Sequence, residues 1–164
     1  MPAHAPGSHE RLDALYRWFY RAASIVMRLF WFVFRPLTRG VNVALWHADE
    51  LLVVRNAYRP GYTLPGGYIR FREKAREAAV REVREELQLT IAGADLIAWG
   101  QIEIRQEYRR DRVTIFEMHC AAPPVVRLDN REVVAACFLK PAAVVPSPHA
   151  APLAAYLAAK RTKL

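Results

Sequence analysis

The sequence contains few of the residues that build cross-linked or zinc-bound folds. It has two cysteines, Cys120 and Cys137, and neither belongs to a CxxC pair or to a cysteine–histidine cluster. The sequence therefore indicates neither a disulfide framework nor a zinc site. Because both cysteines lie in apolar runs, we expect small core residues in a protein of the reducing cytoplasm.

The chain also lacks a long apolar run that is free of charge. Its most apolar stretch, residues 15–34, carries three arginines. Each arginine would cost about 2.5–3.5 kcal/mol near the middle of a bilayer, so a membrane-spanning helix is not expected. A charged n-region and an A-x-A-like cleavage site are missing as well, and no secretory signal is expected.

The charge balance is basic, with 24 Lys and Arg against 16 Asp and Glu, for a net charge of +8. A basic net charge favours binding to anionic partners. The alternative is that the charge only keeps the protein soluble. The sequence has no helix-turn-helix, zinc-finger or RNA-binding signature, and its excess charge is spread along the chain. We therefore expect no specific nucleic-acid partner.

The first 36 of the 164 residues contain the pattern of an amphipathic helix. After a flexible start at residues 1–9, one narrow arc at 100° per residue carries the polar side chains of residues 10–36, and nearly all the others are apolar. The arc consists of Glu10, Arg17, Arg21, Ser24, Arg28 and Arg35. Three roles remain open: packing on the rest of the protein, peripheral contact with an anionic membrane surface, or homodimerisation through residues 10–35.

The remaining residues, 37–164, predict one domain with a mixed β-sheet and helices packed on it, an α/β fold. Apolar runs separated by turn residues predict the strands, and a run of good helix formers predicts a central helix. The predicted strands are 41–48, 50–55, 96–107, 112–121 and 132–140, with a hairpin turn around 108–111, and the predicted helices are 74–88 and 150–163.

Three glutamates on the central helix are the main chemical signal. Glu82, Glu85 and Glu86 are spaced i, i+3, i+4, so they project from neighbouring points on one face. Hard oxygen ligands without Cys or His favour magnesium, manganese or calcium. The alternative is a solvated face on which neighbouring arginines neutralise the glutamates. Gly66 and Gly67, just before the helix, favour a site because they let the backbone approach a ligand.

The segment from Gly67 to Leu89 resembles the Nudix box. The shared residues are Gly67, Glu73, Arg81, Glu82, Glu85, Glu86 and Leu89, at the family's spacing. The resemblance implies an α/β/α sandwich and a Mg²⁺-dependent hydrolase, with Mn²⁺ as a substitute, that cleaves a nucleoside diphosphate linked to another moiety. It also implies that Glu82, Glu85, Glu86 and the Gly67 carbonyl bind metal, with Glu85 and Glu86 counted as catalytic. Arg81 would orient the glutamates, and Glu73 would belong to the outer network.

The segment departs from the family pattern at two places. Gln88 stands where the family usually has glycine, so we expect the end of the helix to differ in shape. Phe71-Arg72 stands where many members have Pro-Gly.

The general base and the substrate contacts are less specific. For the base, the sequence favours Glu132, then Glu103, then Glu117. For the small-molecule nucleotide, it suggests Tyr62 and Tyr108 for stacking and Arg55 and Arg70 for phosphate. A catalytically weak Nudix-fold module that only senses a nucleotide is the alternative function.

Overall fold

The computed structural model describes residues 37–57, 60–106, 109–128 and 133–161. The predicted flexible start and the predicted amphipathic helix at residues 10–36 lie outside this range. The chain divides into two units, residues 1–37 with 105–110 and residues 38–104 with 111–164. The elements below, apart from the strand ends at Leu37 and around residues 105–110, belong to the second unit.

Within the described residues, six strands form one sheet and two helices accompany it. The sheet order is β4-β5-β1-β2-β6, and the short strand β3 pairs with β1. The strands are β1 (Leu37–His47), β2 (Glu50–Asn56), β3 (Gly66–Tyr68), β4 (Ile97–Gln106), β5 (Arg109–His119) and β6 (Val133–Leu139). The helices are α1 (Ala75–Leu87) and α2 (Ala151–Arg161), and 3₁₀ turns occupy Gly93–Asp95 and Pro141–Ala143.

The sheet is mixed, as predicted. Strands β1 and β2 are antiparallel across a tight turn, and β2 pairs antiparallel with β6. Strand β5 runs in the same direction as β1, because Thr38 contacts Asp111 near the start of both strands and the Trp46 carbonyl accepts from the Cys120 N–H near their ends.

Each face of the sheet packs on one helix. On one face, buried residues of β1 and β2 such as Val43 and Val54 contact Ala79, Val83 and Leu87 of α1. On the other face, the alternate residues pack against Leu153, Tyr156 and Leu157 of α2. Because strand side chains alternate between faces, one pair of strands supplies both cores. The predicted two-sided α/β architecture is therefore confirmed.

Two predictions about the elements are corrected. The hairpin turn expected around residues 108–111 falls earlier, because β5 already begins at Arg109 and Asp111 is a buried strand residue bonded to Thr38. The strand β3 was missed, since three residues that include two glycines carry no strand pattern. Within the described residues, no helix combines the length and apolarity needed to cross a bilayer.

Candidate functional site

The two glycines of β3 bring the backbone against β1 and α1. Gly66 has φ +148°, and a Cβ there would overlap the carbonyl of Val41, so only glycine fits. At Gly67, a Cβ would lie 2.6–2.9 Å from the carboxylate atoms of Glu82. Two missing side chains thus allow the α1 carboxylates to reach the strand.

Glu86 and Glu82 meet this strand from the same side of α1. The Glu86 Oε2 atom accepts a hydrogen bond from the Gly66 N–H at 2.9 Å. Glu82, which precedes Glu86 by four residues on α1, faces Gly67. The i, i+4 spacing therefore places two carboxylates side by side against the Gly66–Gly67 backbone.

Arg81 is the centre of a carboxylate network. Its guanidinium holds Glu73 at two points, with Nε to Oε1 at 2.8 Å and Nη2 to Oε2 at 2.9 Å. Its Nη1 also donates to Glu82 at 2.7 Å and to Glu85 at 3.1 Å, and Nη2 donates to the Tyr68 carbonyl at 3.0 Å. Only 10 % of the Arg81 side chain is exposed, so water screens these pairs weakly.

The network shifts two pKa values in opposite directions. The hydrogen bonds from Arg81 lower the pKa of Glu73 from 4.5 to about 2, assisted by the backbone N–H of Arg70. The same bonds to Glu73, followed by those to Glu82 and Glu85, raise the pKa of Arg81 above its ordinary value. Both groups therefore stay charged throughout the physiological pH range.

Glu85 lies at the outer edge of the network. Its side chain is 44 % exposed, and Arg70 Nη2 donates to it at 3.2 Å in addition to the contact from Arg81. On a helix with 100° per residue, Glu85 and Glu86 lie on opposite sides of Glu82. One flank of the acidic cluster thus contacts Arg70, and the other contacts Gly66.

The donor chemistry of this cluster fits a hard divalent cation. Carboxylate oxygens and a backbone carbonyl are the ligands that magnesium and manganese prefer. In the structure, Glu82 and Glu85 contact Arg81 while Glu86 contacts Gly66, so the three carboxylates do not meet at a common point. No group of three His, Cys, Asp or Glu residues within the described ranges is arranged to hold an ion. A cation that binds here therefore has to draw Glu85 away from Arg81 and Arg70.

A cavity of about 220 Å³ adjoins the Glu86 flank. It lies between β1, the loop before β3 and the loop before α2. Its polar lining includes Asn42, Thr63, Glu86, Ser147 and His149. Asn42, Ser147 and His149 were missed from the sequence, because they belong to no local motif and only the fold brings them together.

The three glutamates considered for the general base have different surroundings. Glu103 pairs with Arg112 at 2.7 Å on the exposed surface of the β4–β5 hairpin. Glu117 accepts from the Tyr156 hydroxyl and pairs with Lys160, on the α2 side of the sheet. Glu132 lies outside the described residues. No contact in the described part of the chain joins Glu103 or Glu117 to the α1 carboxylates.

Of the three predicted substrate residues that lie within the described ranges, Arg70 alone contacts an α1 carboxylate, that of Glu85. Tyr62 packs against the core on the α2 side, where a hydrogen bond with Cys137 raises its pKa. Arg55 is an exposed residue of β2, and Tyr108 lies outside the described ranges. Neither Tyr62 nor Arg55 belongs to the lining of the 220 Å³ cavity.

Gln88 adopts the backbone conformation that a glycine would take at the end of α1. Its φ of 53° and ψ of 30° are left-handed, and its N–H bonds the Arg84 carbonyl at 3.1 Å. Arg72 also has a positive φ, of 63°. We expected the helix to end in a different shape because Gln88 replaces a glycine. The backbone does not support this expectation, since α1 ends in the left-handed conformation that is usual for a glycine at this position.

We compared the chain with models of protein families, with curated protein sequences and with solved structures. The family model described as NUDIX domain matches residues 36–160. No curated protein sequence matches the chain.

Several solved structures share the fold at low sequence identity. A MutT NUDIX hydrolase from Burkholderia pseudomallei has a TM-score of 0.65 at 17 % identity, over 74 % of this chain and 96 % of that one. A bifunctional NMN adenylyltransferase/ADP ribose pyrophosphatase from Francisella tularensis has a TM-score of 0.64 at 14 % identity, over 85 % and 47 %. An Ap4A hydrolase from C. elegans has a TM-score of 0.56 at 16 % identity, over 77 % and 99 %.

Proposed function

We propose, since the chain belongs to the Nudix family, that it is a Mg²⁺-dependent hydrolase of a nucleoside diphosphate linked to another moiety. The observation that carries the proposal is the placement of Glu82 and Glu86 against the Gly66–Gly67 backbone, beside a cavity. Family members of this type cleave phosphoric anhydrides, and water is the proposed nucleophile at one phosphorus of the diphosphate.

Glu82, Glu85, Glu86 and the Gly67 carbonyl are the proposed ligands of the cation. When bound, a divalent ion neutralises the diphosphate and makes a coordinated water more acidic. Nudix hydrolases generally use a divalent metal, and Mg²⁺ is proposed here, with Mn²⁺ as a substitute. The Francisella tularensis relative is described as a complex with AMP and a Mn ion, which supports a hard cation.

Arg81 and Glu73 have a positioning role in this proposal. The two-point contact with Glu73 fixes the guanidinium plane, so Arg81 remains in place when Glu85 turns toward a cation. The third guanidinium nitrogen, Nη1, then holds Glu82 at 2.7 Å in the orientation that faces Gly67.

For the proton acceptor we propose Glu132, with Glu103 as the second choice. Glu103 would have to leave its ion pair with Arg112, which is exposed and costs little to open. For the substrate, Arg70 is the proposed phosphate contact from the exposed flank, while Arg55, Tyr62 and Tyr108 remain sequence-based predictions. Relatives described as an ADP ribose pyrophosphatase and an Ap4A hydrolase support a small-molecule nucleotide as the substrate.

A substrate screen with a matched pair of variants tests the proposal. Nucleotide derivatives are assayed with Mg²⁺ on the wild type, on Glu86→Gln and on Glu77→Gln. We expect Glu86→Gln to lose most of the activity, because it removes a charged metal ligand. Glu77→Gln, on the same helix, should keep the activity, since glutamine can replace the glutamate that caps the Lys74 N–H.

Thermal unfolding of the same proteins supplies the control for folding. Mg²⁺ should raise the melting temperature of the wild type and of Glu77→Gln, but not that of Glu86→Gln, because a ligand stabilises only the state that binds it. Unchanged turnover in Glu86→Gln would contradict the proposal. Binding of nucleotides without any turnover would favour the sensing module instead.

We also propose that the protein works in the cytoplasm and that residues 10–35 contact an anionic membrane surface. The regular arc of arginines against a wide apolar face supports this role. A homodimer through the same residues and packing of this segment on the rest of the protein are the competing outcomes.

A further inference from the structure

Phe71 is the most exposed large apolar side chain in the described part of the chain, with an exposed fraction of 90 %. The others are 47–80 % exposed: Leu37, Tyr68, Ile97, Val125 and Val145. Among these residues, only Phe71 has a charged neighbour on each side, Arg70 and Arg72. A single exposed apolar residue is common on protein surfaces, so the way in which this one is held and flanked decides what it can bind.

Phe71 and Arg72 form the tip of a tight turn that is closed at its base. The Glu73 N–H donates to the Arg70 carbonyl at 3.1 Å, and the Arg70 N–H donates to the Glu73 carboxylate at 2.8 Å. Arg81 of α1 holds the same carboxylate at two points. The base of the turn is therefore fixed to α1, and the tip needs little further ordering when it binds a partner.

The backbone at the tip is strained, and the tip side chains do not pack into the domain. Arg72 has a φ of 63°, in the left-handed region that favours glycine. Its guanidinium lies 5.2 Å from the centre of the Phe71 ring, but both side chains are exposed, and such a contact adds little stability. Strained backbone conformations occur most often at binding sites. The tip therefore suits a contact with a partner better than it suits packing.

The charge around the tip is positive. Arg72 and Lys74 are exposed and form no ion pair within the described residues. Glu73, the single acidic residue of this turn, is already held in an ion pair, and Arg70 shares its charge with Glu85. The tip therefore presents an aromatic ring beside two cations whose charges are not compensated by an acidic partner.

We propose that the turn at residues 70–74 binds an anionic lipid surface. The Phe71 ring enters the headgroup region, and Arg72 and Lys74 face the lipid phosphates. Aromatic rings favour this interfacial depth, and basic residues are attracted to the negative surface. A bilayer accepts a single projecting ring, whereas a protein partner needs a pocket that matches it.

This contact adds to the one proposed for residues 10–35, and it does not depend on hydrolysis. A single weak element gives only marginal and reversible membrane binding, and a second element raises the affinity. Because Arg70 of the same turn contacts Glu85, the bound lipid surface lies on the Glu85 flank of the site.

Vesicle binding of the full-length protein tests the role of the ring. Binding to phosphatidylcholine vesicles that contain phosphatidylserine is measured by flotation over a series of lipid concentrations. Phe71→Ser should weaken binding about tenfold, because the apolar ring no longer leaves water. Phe71→Trp should bind at least as well as the wild type. Val125→Ser, which removes an 80 % exposed side chain without charged neighbours on either side, should have no effect.

A second pair of variants tests the role of the charge. Arg72→Gln and Arg84→Gln lower the net charge equally, but only the first removes a cation from the tip. Arg72→Gln should weaken binding about fivefold, and this effect should shrink as salt rises. Arg84→Gln should have little effect. Thermal unfolding without lipid shows whether each variant is folded, and the exposure of all the replaced side chains predicts melting temperatures near that of the wild type.

Three results would overturn the inference. In the first, Phe71→Ser binds vesicles as well as the wild type does. In the second, Val125→Ser weakens binding as much as Phe71→Ser does, which would indicate a general effect of lost apolar surface. In the third, the tip variants weaken binding of a single-stranded oligonucleotide and leave vesicle binding unchanged, which would assign the tip to nucleic acid.

Failure of the turn is distinguishable from failure of the other proposals. If the wild type binds no vesicles, both membrane contacts are wrong. If Phe71→Ser has no effect but reversal of the arginines at residues 10–35 abolishes flotation, only the contact at residues 70–74 is wrong. Turnover with Mg²⁺ in the wild type and in Glu86→Gln is measured without lipid, so the proposed hydrolase activity is tested separately.

Discussion

Each acidic residue on the site face of α1 has its own partner: Glu86 accepts from the Gly66 N–H, whereas Glu82 and Glu85 pair with Arg81. The carboxylates could be predicted from the i, i+3, i+4 spacing, because helix geometry alone places them on one face. Their partners could not, since the contact from Gly66 to Glu86 depends on how β3 packs beside α1. The ion pairs of Arg81 with Glu73, Glu82 and Glu85 likewise depend on the fold and could not be predicted from the spacing.

Gln88 offers a test of backbone strain at this scale. A non-glycine residue in the left-handed region costs about 1–2 kcal/mol, whereas glycine costs about 0.5–1 kcal/mol through the entropy of the unfolded chain. The difference favours Gln88→Gly, which should raise the free energy of unfolding by about 0.5–1 kcal/mol in denaturant titrations. Its side chain is exposed, so little packing is lost.

Two further variants serve as controls for this prediction. Gln88→Ala keeps the Cβ and should bring no gain. Arg84→Gly places the same glycine in the exposed interior of α1 and should lower the free energy of unfolding by about 1 kcal/mol. A loss of stability in Gln88→Gly would show that position 88 does not need the left-handed conformation.

At the scale of elements, α2 is held to the sheet by a polar network within an apolar interface. The fully buried Tyr156 hydroxyl accepts from Trp46 Nε1 at 2.7 Å and donates to Glu117, which also pairs with Lys160 at 2.7 Å. Burial, followed by the neighbouring Glu117, raises the pKa of Tyr156, so the hydroxyl remains a donor. This network occupies Glu117 on the α2 side of the sheet, away from the α1 carboxylates.

Removing one hydroxyl should therefore weaken the docking of α2. Tyr156→Phe leaves the Trp46 N–H without its acceptor and removes one of the two partners of Glu117, which keeps Lys160. A buried group left unbonded costs about 1–3 kcal/mol. We expect the free energy of unfolding to fall by this amount in denaturant titrations. Lys160→Gln removes the more exposed ion pair with Glu117 and the ammonium over the Trp46 and Tyr156 rings, and should cost about 1 kcal/mol or less. Equal losses in the two variants would argue against the buried hydroxyl as the main contact.

The elements that could be predicted are those whose apolar residues recur at a regular spacing along the sequence. The helix expected at 74–88 is found at Ala75–Leu87, because Ala79, Val83 and Leu87 recur at helical spacing and face the sheet. The turn near residues 108–111 was misplaced because Asp111 looks like a turn residue. Its bond to Thr38, far away in the sequence, makes it a buried strand residue instead.

At the scale of the whole molecule, the charges and apolar residues among the first 36 positions predict binding to an anionic membrane surface. Residues 1–36 carry five arginines, one aspartate and one glutamate, for a net charge of +3. Near an anionic membrane each basic residue contributes about 1 kcal/mol, and the apolar face adds its own burial. Full-length protein should therefore float with phosphatidylserine vesicles and lose this binding as salt rises.

Charge reversal distinguishes this local effect from the general basic charge. Arg17→Glu, Arg21→Glu and Arg28→Glu together should abolish flotation. The matched control changes three exposed arginines of the described domain, Arg84, Arg127 and Arg161, to glutamate and should keep it, although the net charge is the same. Equal flotation of the two triple variants would refute a membrane role for residues 10–35. Sedimentation that then detects a dimer in the control variant but not in the variant with Arg17, Arg21 and Arg28 reversed would assign the segment to self-association, because only the latter variant changes residues 10–35.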